Sequence, residues 1–367
     1  MTTSERGHLV PAPLQPSRVS RALVALVALT LALAACGSSS KSSSSGSSSG
    51  STTLNGSGST FQKTFNEVAI QAFQQKNSNI TVNYAGGGSG KGKTDLQTQT
   101  VDFAGTDSLI KEADLSKYQG GTVLYFPTVA APITVSYHVS GVEHLQLSAP
   151  TIAKIFSAKI TKWNDPAIAA DNPGVNLPST DIVIVHRADA SGTTSNFTKY
   201  LTSAAPSDWT LGSGDTVNWP SNSQAGQGNT GVAQIVGQQD GAIGYVDYSD
   251  AVASNLKFAS IKNSAGTYIA PTLAGAEAAV AATKINPDLT YNPINASGAD
   301  AYPITSPTWI IVYEKQTSKT KGTALKSFLS FLVNDAQSLA EGAKYAKLPA
   351  ALQSQANAQL SKLQIPA

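Results

Sequence analysis

Strand-like and helix-like segments alternate along most of this 367-residue chain, and this alternation restricts its fold more than any other feature. Apolar residues recur at helical spacing from Phe61 to Phe73, residues 80–84 alternate as a strand does, and residues 181–186 form an apolar run. Further predicted elements are a short helix after Ser148, helices over 193–201 and 232–236, strands over 242–246 and 309–313, and helices through most of 320–363. Such alternation is typical of α/β folds with largely parallel sheets. The sequence therefore predicts an α/β fold.

The N-terminal segment predicts export. Arg18 and Arg21 precede the apolar run 22–35, which is typical of a signal peptide and shorter than the about 20 residues that a membrane span needs. The run ends at Cys36, the only cysteine, and Leu33-Ala34-Ala35-Cys36 resembles a bacterial lipobox. That resemblance implies cleavage before the cysteine and acylation of its thiol, and two acyl chains anchor a protein stably. We therefore expect residues 1–35 to be a lipoprotein signal peptide, and the mature chain to lie on the outer face of the cell membrane. An ordinary signal peptide followed by a free thiol is the alternative.

Charge outside this leader is balanced. The formal net charge of the chain is +2, and Arg6, Arg18 and Arg21 set against Glu5 account for it. A nucleic-acid-binding protein needs a basic patch on its body, and the body has no run of Lys or Arg, so we exclude nucleic acid as a partner. Once the single cysteine is acylated, no disulfide, thiolate nucleophile or cysteine metal site remains. Residues 36–53 are then the lipidated cysteine and a flexible Ser/Gly tether.

Small polar residues and glycine recur where a predicted strand or loop meets the start of a helix. They occupy segments 58–61, 88–90, 107–108 and 187–193. Helix N-termini present unpaired N–H groups and a partial positive charge, and Ser or Thr hydroxyls add further donors. Together with Arg187, the four segments predict a site for a small tetrahedral oxyanion. Any one of them alone is better explained by ordinary helix N-capping, so the prediction depends on the whole set.

Nine segments of this sequence carry a family resemblance. They are GSGSTF (56–61), NYAGGGSG (83–90), VDFAGTD (101–107), LYFPTV (124–129), KITKWNDPAIA (159–169), VHRADASGTTSNFTKYL (185–201), GQGNTGVAQ (226–234), DGAIGYVDY (240–248) and AYPITSPTWI (301–310). Over almost all of residues 54–365 the chain resembles the substrate-binding proteins of high-affinity bacterial phosphate ABC transporters. The resemblance implies a two-lobed periplasmic-binding-protein fold of type II, with phosphate buried in the cleft between the lobes and handed on to the ABC permease.

The resemblance also implies how the chain is divided. We expect lobe I to comprise about 54–127 plus 303–367, and lobe II to comprise about 128–302. Two crossover strands should join them, near Phe126 to Ala131 and near Tyr302 to Ile304. We expect a monomer that performs no chemistry on its ligand and needs no cofactor or metal.

The phosphate contacts follow from the positions of residues within these motifs. The resemblance implies a shell of eight residues, with Phe61 contributing its backbone N–H: Thr60, Phe61, Ser89, Asp107, Arg187, Ser191, Gly192 and Thr193. It also implies that Asp189 pairs with Arg187, whose planar fork suits two phosphate oxygens. Asp107 is the discriminating residue, because phosphate near neutral pH carries a proton that a carboxylate can accept, whereas sulfate has none. A site built to pair with a ligand O–H can reject an analogue without it by about 10⁴–10⁵.

Three other interpretations compete with this one. Residues 87–94 satisfy the P-loop pattern G-x-x-x-x-G-K-[ST], but an exported protein meets little ATP and no apolar strand ending in a magnesium-binding Asp follows. For a hydrolase, the globular part has no G-x-S-x-G elbow, and His138, His144 and His186 lack any metal-binding context. The same fold could instead bind another oxyanion. Asp107 argues against sulfate, whereas arsenate also carries a proton and stays open.

Overall fold

The computed structural model of the chain describes residues 51–367, so the predicted signal peptide, Cys36 and most of the tether lie outside the described residues. The strands are β1 Thr52–Gly58, β2 Ile80–Gly86, β3 Phe103–Thr106, β4 Val123–His138, β5 Gln146–Leu147, β6 Val183–Arg187, β7 Gln224–Gly226, β8 Ala242–Asp247, β9 Lys257–Phe258, β10 Ser260–Lys262, β11 Tyr268–Ile269 and β12 Thr305–Tyr313. The α-helices are α1 Lys63–Lys76, α2 Ser89–Gln97, α3 Ala149–Phe156, α4 Pro166–Asp171, α5 Gly192–Ala204, α6 Gly228–Gln238, α7 Tyr248–Ala253, α8 Leu273–Ala281, α9 Lys319–Val333 and α10 Ala350–Gln359. Short 3₁₀ helices cover Glu112–Lys117, Asp335–Leu339 and Leu360–Lys362.

One long mixed sheet organises these elements. Its strand order is β2-β1-β3-β12-β4-β8-β6-β7, with β9 pairing to β4, and a separate three-stranded sheet has the order β11-β10-β5. Within the long sheet β1 is parallel to β2 and β3, and β6 is parallel to β7 and β8. The two central strands β12 and β4 run antiparallel to each other and to their outer neighbours β3 and β8. The α/β prediction is confirmed, but the sheet is mixed rather than largely parallel.

The strand β4 joins two halves of this sheet. Its residues Val123 to Pro132 pair with β12, and from Ile133 to His138 it pairs with β8 instead. We call β2, β1, β3, β12 and the first part of β4 the first half-sheet, and the rest of β4 with β8, β6 and β7 the second half-sheet. The chain thus passes between the half-sheets along β4 and returns just before β12, where the Ile133 N–H donates to the carbonyl of Ile304 at 2.8 Å. The lobe boundaries given above stay a prediction.

The resemblance predicted a crossover strand near Phe126 to Ala131, but residue patterns did not predict the full extent of β4. All of its 16 residues except the two ends are buried, so it lacks the alternation that marks a half-exposed strand. It also contains Pro127 and Pro132, and proline within an apolar run argues against a central strand. The structure accommodates Pro127 at an irregularity, because the register shifts there: Thr308 pairs with Val129 and Trp309 with Pro127. A β-bulge at this point removes the need for a ladder hydrogen bond from proline.

Other predicted elements differ from the structure mainly at their ends. The helix predicted from Phe61 begins at Lys63, because Phe61 belongs to the turn after β1. The predicted strand 181–186 is observed as Val183–Arg187, and the predicted helix 193–201 as Gly192–Ala204. Helix α8 was not predicted, since its apolar residues are spread around the helix rather than along one face. Among residues 51–367, no helix has the length and apolarity that a membrane crossing requires.

Aromatic clusters fill the core beside each half-sheet. On the first, Phe328 of α9 lies 5.2 Å from Phe73 of α1 and 5.5 Å from Phe103 of β3, measured between ring centroids. On the second, Phe197 of α5 lies 4.5 Å from Tyr245 of β8 in a stacked arrangement. Tilted and stacked aromatic pairs add to the stabilisation that burial of their area provides. These clusters hold α1, α9 and α5 against the sheet and so fix the strand ends that they flank.

The Phe328 cluster gives a first prediction. We expect Phe328→Ala to lower the free energy of unfolding by about 3–5 kcal/mol, because the side chain is fully buried and its removal leaves a cavity. Urea denaturation of the purified protein measures this loss. The matched control is Ser327→Ala on the exposed face of the same helix, for which the change should stay within about 0.5 kcal/mol. A loss below about 1 kcal/mol for Phe328→Ala would contradict this account of the core.

Candidate functional site

The carboxyl ends of the parallel strands place the predicted site residues. Gly58, Thr106 and Arg187 end β1, β3 and β6, and ligands of open α/β sheets bind beyond such strand ends. The two half-sheets meet there, since the Gly90 N–H donates to the carbonyl of Ala190 at 2.9 Å. All eight predicted contact residues therefore lie on segments that adjoin one another.

The turn after β1 is shaped by a glycine. Gly58 has a φ of +132°, and a Cβ at this position would collide with the carbonyl oxygen of Gly105. After it, the Ser59 hydroxyl lies 2.6 Å from both carboxylate oxygens of Asp107 and accepts the N–H of Phe61 at 3.0 Å. The hydroxyl of the next residue, Thr60, accepts hydrogen bonds from Asn229 at the start of α6. The turn therefore carries donors and acceptors toward the start of α5.

Asp107 is the acidic centre of the site. It follows β3, is 2% exposed, and accepts hydrogen bonds from the hydroxyls of Ser59, of Thr308 at 2.8 Å and of Ser89 at 3.2 Å. Burial raises the pKa of Asp107 to about 6, while the three hydroxyls and the charge of Arg187 act in the opposite direction. Asp107 is therefore mostly ionised at neutral pH, and it becomes protonated when the pH falls through about 6.

Arg187 is the cationic centre. Its side chain is almost fully buried and places Nε 2.9 Å from one oxygen of Asp189 and Nη2 against the other. Its Nη1 lies 3.3 Å from the Thr193 hydroxyl, and its backbone N–H donates to the Tyr245 hydroxyl. Asp189 also accepts the N–H of Gly228 at 2.9 Å. The ion pair with Asp189 thus holds one edge of the guanidinium and leaves Nη1 on the side of Thr193.

The N-terminus of α5 completes the arrangement. Ser191 caps the helix, its hydroxyl accepting the N–H of Thr194 at 3.2 Å. A Cβ on Gly192 would lie 2.5 Å from the Ser89 hydroxyl and 2.8 Å from a carboxylate oxygen of Asp107. Only glycine permits this approach. The N-terminus of α5, which packs beside the second half-sheet, therefore lies directly against Asp107 at the edge of the first half-sheet.

Sequence reasoning missed several residues that belong to this site. Asn229 at the start of α6 donates through its side chain to the hydroxyls of Thr60 and Thr193, at 3.2 Å and 3.3 Å, and so bridges the half-sheets. Ser59 and Thr308 contact Asp107 as described. All three occur within the quoted segments GSGSTF, GQGNTGVAQ and AYPITSPTWI, so the signal was present. Their partners could not be identified, because each contact depends on how distant strands are ordered.

The residues of the P-loop pattern have other partners. Lys93 lies in the second turn of α2, where its ammonium group contacts Asp215 at 2.6 Å and the Ser108 hydroxyl at 2.9 Å. Asp215 belongs to the second half of the molecule, and its carbonyl accepts the N–H of Ser191. Lys91 pairs with Asp95 within α2. Both lysines are thus engaged in ion pairs, and the Lys93 pair joins the two halves beside the site.

The histidines take structural positions. His186 stacks on Trp219 with ring centroids 5.1 Å apart, and burial lowers its pKa. His138 ends β4, and His144 is exposed. Within residues 51–367 no three His, Cys, Asp or Glu side chains come together as a candidate metal site.

Known proteins resemble this chain in sequence and in fold. Residues 43–336 match the PBP superfamily domain. The chain is 35% identical over 305 residues to the phosphate-binding protein PstS of Methanocaldococcus jannaschii. The aligned region covers 77% of this chain and 78% of that protein. It is 35% identical over 303 residues to the phosphate-binding protein PstS 2 of Mycobacterium tuberculosis, covering 78% of this chain and 81% of that protein. The solved phosphate-binding protein from Stenotrophomonas maltophilia has a TM-score of 0.66 at 24% identity, over 84% of this chain and 94% of that chain. This likeness concerns the fold alone, and the predicted periplasmic-binding-protein fold is confirmed.

The ion pair between the halves gives a second prediction. Lys93 and Asp215 are only 15% and 18% exposed, whereas Lys63 and Glu67, which pair within α1, are 45% and 55% exposed. A double-mutant cycle with Lys93→Met and Asp215→Asn should yield a coupling energy of about 1–3 kcal/mol in urea denaturation. The matched cycle with Lys63→Met and Glu67→Gln should yield about 0.3–0.5 kcal/mol, as for exposed helical pairs. Equal coupling energies would contradict the role given to the Lys93 pair in holding the halves together.

Proposed function

Because this chain belongs to the phosphate-binding proteins that serve ABC transporters as substrate-binding components, we propose that it is an extracytoplasmic, lipid-anchored receptor for inorganic phosphate. It binds phosphate between its two half-sheets and delivers it to the membrane permease. Its family consists of transport proteins that bind a ligand without transforming it, so the chain is not an enzyme.

The observation that carries this proposal is the burial of one cation and one carboxylate in the same site. Arg187 and Asp107 are 4% and 2% exposed and lie on opposite half-sheets. Around them are hydroxyls and the N-terminus of α5, which supply donors without adding net charge. Each hydrogen bond to a charged group contributes about 1.5–3 kcal/mol, so such a shell can offset the desolvation of a small anion. The shell proposed for phosphate is the predicted one: Thr60, the N–H of Phe61, Ser89, Asp107, Arg187, Ser191, Gly192 and Thr193, with Asp189 behind Arg187.

Asp107 decides which anion fits. A carboxylate inside an anion site repels a fully ionised ligand, but it stabilises a ligand that still carries a proton to donate. Phosphate near neutral pH carries such a proton, and sulfate does not. Arsenate is protonated in the same way, so it is the alternative ligand for the same site.

Closure of the two halves then couples binding to transport. Asn229 touches Thr60, Gly192 touches Ser89 and Asp107, and Lys93 pairs with Asp215, so each half supplies part of the enclosure. A ligand that contacts both halves stabilises the closed form relative to an open one. The permease would recognise the closed, loaded monomer and take up the phosphate, using ATP hydrolysed on the cytoplasmic side.

Titration calorimetry on the purified protein, stripped of bound anion, tests the ligand. We expect tight one-to-one binding of phosphate, no detectable binding of sulfate, and none of ATP with magnesium. Arg187→Ala should weaken phosphate binding by more than about 10-fold, because truncating a buried charged partner typically costs 2–5 kcal/mol. The control is Lys162→Ala, which removes an exposed ion pair with Asp181 and should leave the affinity unchanged. If phosphate shows no binding in the calorimeter while sulfate or the nucleotide binds, the ligand assignment is wrong.

The lipid anchor is a separate part of the proposal. It is supported by the apolar run before Cys36 and by the match of residues 33–36 to a lipobox. When the full chain is produced in a bacterium, it should partition into the detergent phase of a Triton X-114 extract, whereas Cys36→Ser should partition into the aqueous phase because it has no thiol to acylate. Mass spectrometry of the N-terminal peptide would identify the acylated cysteine. Identical partitioning of both proteins would refute the anchor and leave the phosphate assignment intact.

A further inference from the structure

Three hydroxyl groups converge on the carboxylate of Asp107. Ser59 lies 2.6 Å from each oxygen, Thr308 lies 2.8 Å from Oδ1, and Ser89 lies 3.2 Å from Oδ2. All four side chains are at most 3% exposed. The hydroxyls come from the turn after β1, from the start of α2 and from β12, so three separate segments converge on one acidic group. An ionised carboxylate accepts about four hydrogen bonds, and most of that capacity is filled by the protein itself.

The direction of two of these hydrogen bonds is set by other contacts. The Ser59 oxygen accepts the N–H of Phe61 at 3.0 Å, and the Ser89 oxygen accepts the N–H of Asp107 at 3.1 Å. Since each oxygen already accepts, its own proton is free to point at the carboxylate. For Thr308 the only other acceptor within reach is the carbonyl of Thr106, at the longer distance of 3.3 Å. All three hydroxyls therefore act as donors, and donors favour the ionised form of a carboxyl group.

The other titratable groups near Asp107 are Arg187, Tyr84 and Lys199, and Lys199 of α5 lines the same cavity as Asp107. The positive charge of Arg187, at the end of β6, also favours the carboxylate, and Asp189 partly offsets that charge. Tyr84 of β2 donates to the Ser59 carbonyl, and burial together with Asp107 raises the pKa of this phenol far above neutral, so it stays uncharged. Burial acts against ionisation and raises the pKa of Asp107 to about 6 even with every hydroxyl in place. Losing one donor would therefore bring the titration of Asp107 into the neutral range.

We propose that Thr308 and Ser59, neither of which belongs to the predicted phosphate shell, are specificity-determining residues that keep Asp107 an acceptor of the ligand proton. A protonated Asp107 would instead donate a hydrogen bond and would accommodate a fully ionised tetrahedral anion such as sulfate. The inference rests on the proposed function and extends it: selectivity depends on the hydroxyls behind the aspartate as well as on the aspartate itself.

Sulfate is the appropriate probe, because it carries no titrating proton between pH 5 and 8.5 and any pH dependence of its binding reports the protein. In the unmodified protein, sulfate affinity should rise as the pH falls through about 6 and should drop by about 10-fold for each pH unit above that midpoint. Thr308→Val keeps the side-chain shape but removes the donor, so the pKa of Asp107 rises. The midpoint of the sulfate profile should then move up by about one pH unit, which makes sulfate binding at pH 7 about 5-fold tighter. Thr308→Ser should restore the original profile, and Ser59→Ala should shift it in the same direction as Thr308→Val.

Asp107→Asn separates this effect from other titrations. The amide donates at every pH, so this variant should bind sulfate with a flat profile, and a remaining pH dependence would point to His186 instead. If Thr308→Val and Ser59→Ala both keep the original sulfate profile while phosphate still binds, the inference is wrong and the proposed function stands. If the unmodified protein does not bind phosphate, the proposed function itself fails. If Thr308→Val does not fold, the sulfate profiles of Ser59→Ala and Thr308→Ser are compared instead. The inference then requires Ser59→Ala to have the higher midpoint.

Discussion

Arg187 and Asp107 are both almost completely buried, and a buried charge costs several kcal/mol unless it is paired and hydrogen-bonded. Much of the surrounding structure serves to meet that cost. Asp189 holds one edge of the guanidinium, and the hydroxyls of Ser59, Ser89 and Thr308 donate hydrogen bonds to the carboxylate. Neither group could be placed this deep without those partners. The partners come from both half-sheets, so the site forms only when the halves are assembled.

That assembly depends on β4 and on the return of the chain before β12. A strand of 16 residues that changes partners at Pro132 and Ile133 makes the two half-sheets one continuous surface. Because only two chain segments cross between them, the halves can change their relative orientation with few broken backbone hydrogen bonds. A rearrangement of this kind belongs to the hinge class of domain motions. The contacts at the cleft are correspondingly small and polar, which suits a closure that must be reversible.

The proposed site would bind an anion with almost no net charge. Lys91 and Lys93 lie next to the glycine-rich turn, yet both are neutralised by aspartates of their own. In the proposed shell, the groups that would bind the anion are therefore one arginine, several hydroxyls and the backbone N–H groups at the start of α5. Oriented neutral donors of this type impose geometry and proton content on the ligand more strictly than a lysine cluster would. This explains how an acidic residue can be a useful component of a site for an anion.

The sequence alone was sufficient for the α/β class and for the family, and its motifs contained the candidate site residues, although several element ends were off by one or two residues. These features depend on periodicity, glycine positions and capping residues, which act over a few neighbouring residues. The tertiary structure decided which of those residues meet. Ser59 is 48 residues from Asp107 and Thr308 is 201 residues from it, and their contact requires β12 to insert between β3 and β4 in the sheet. The order of strands, the exchange of partners along β4 and the Lys93–Asp215 pair result from long-range packing, for which no local pattern in the sequence provides a signal.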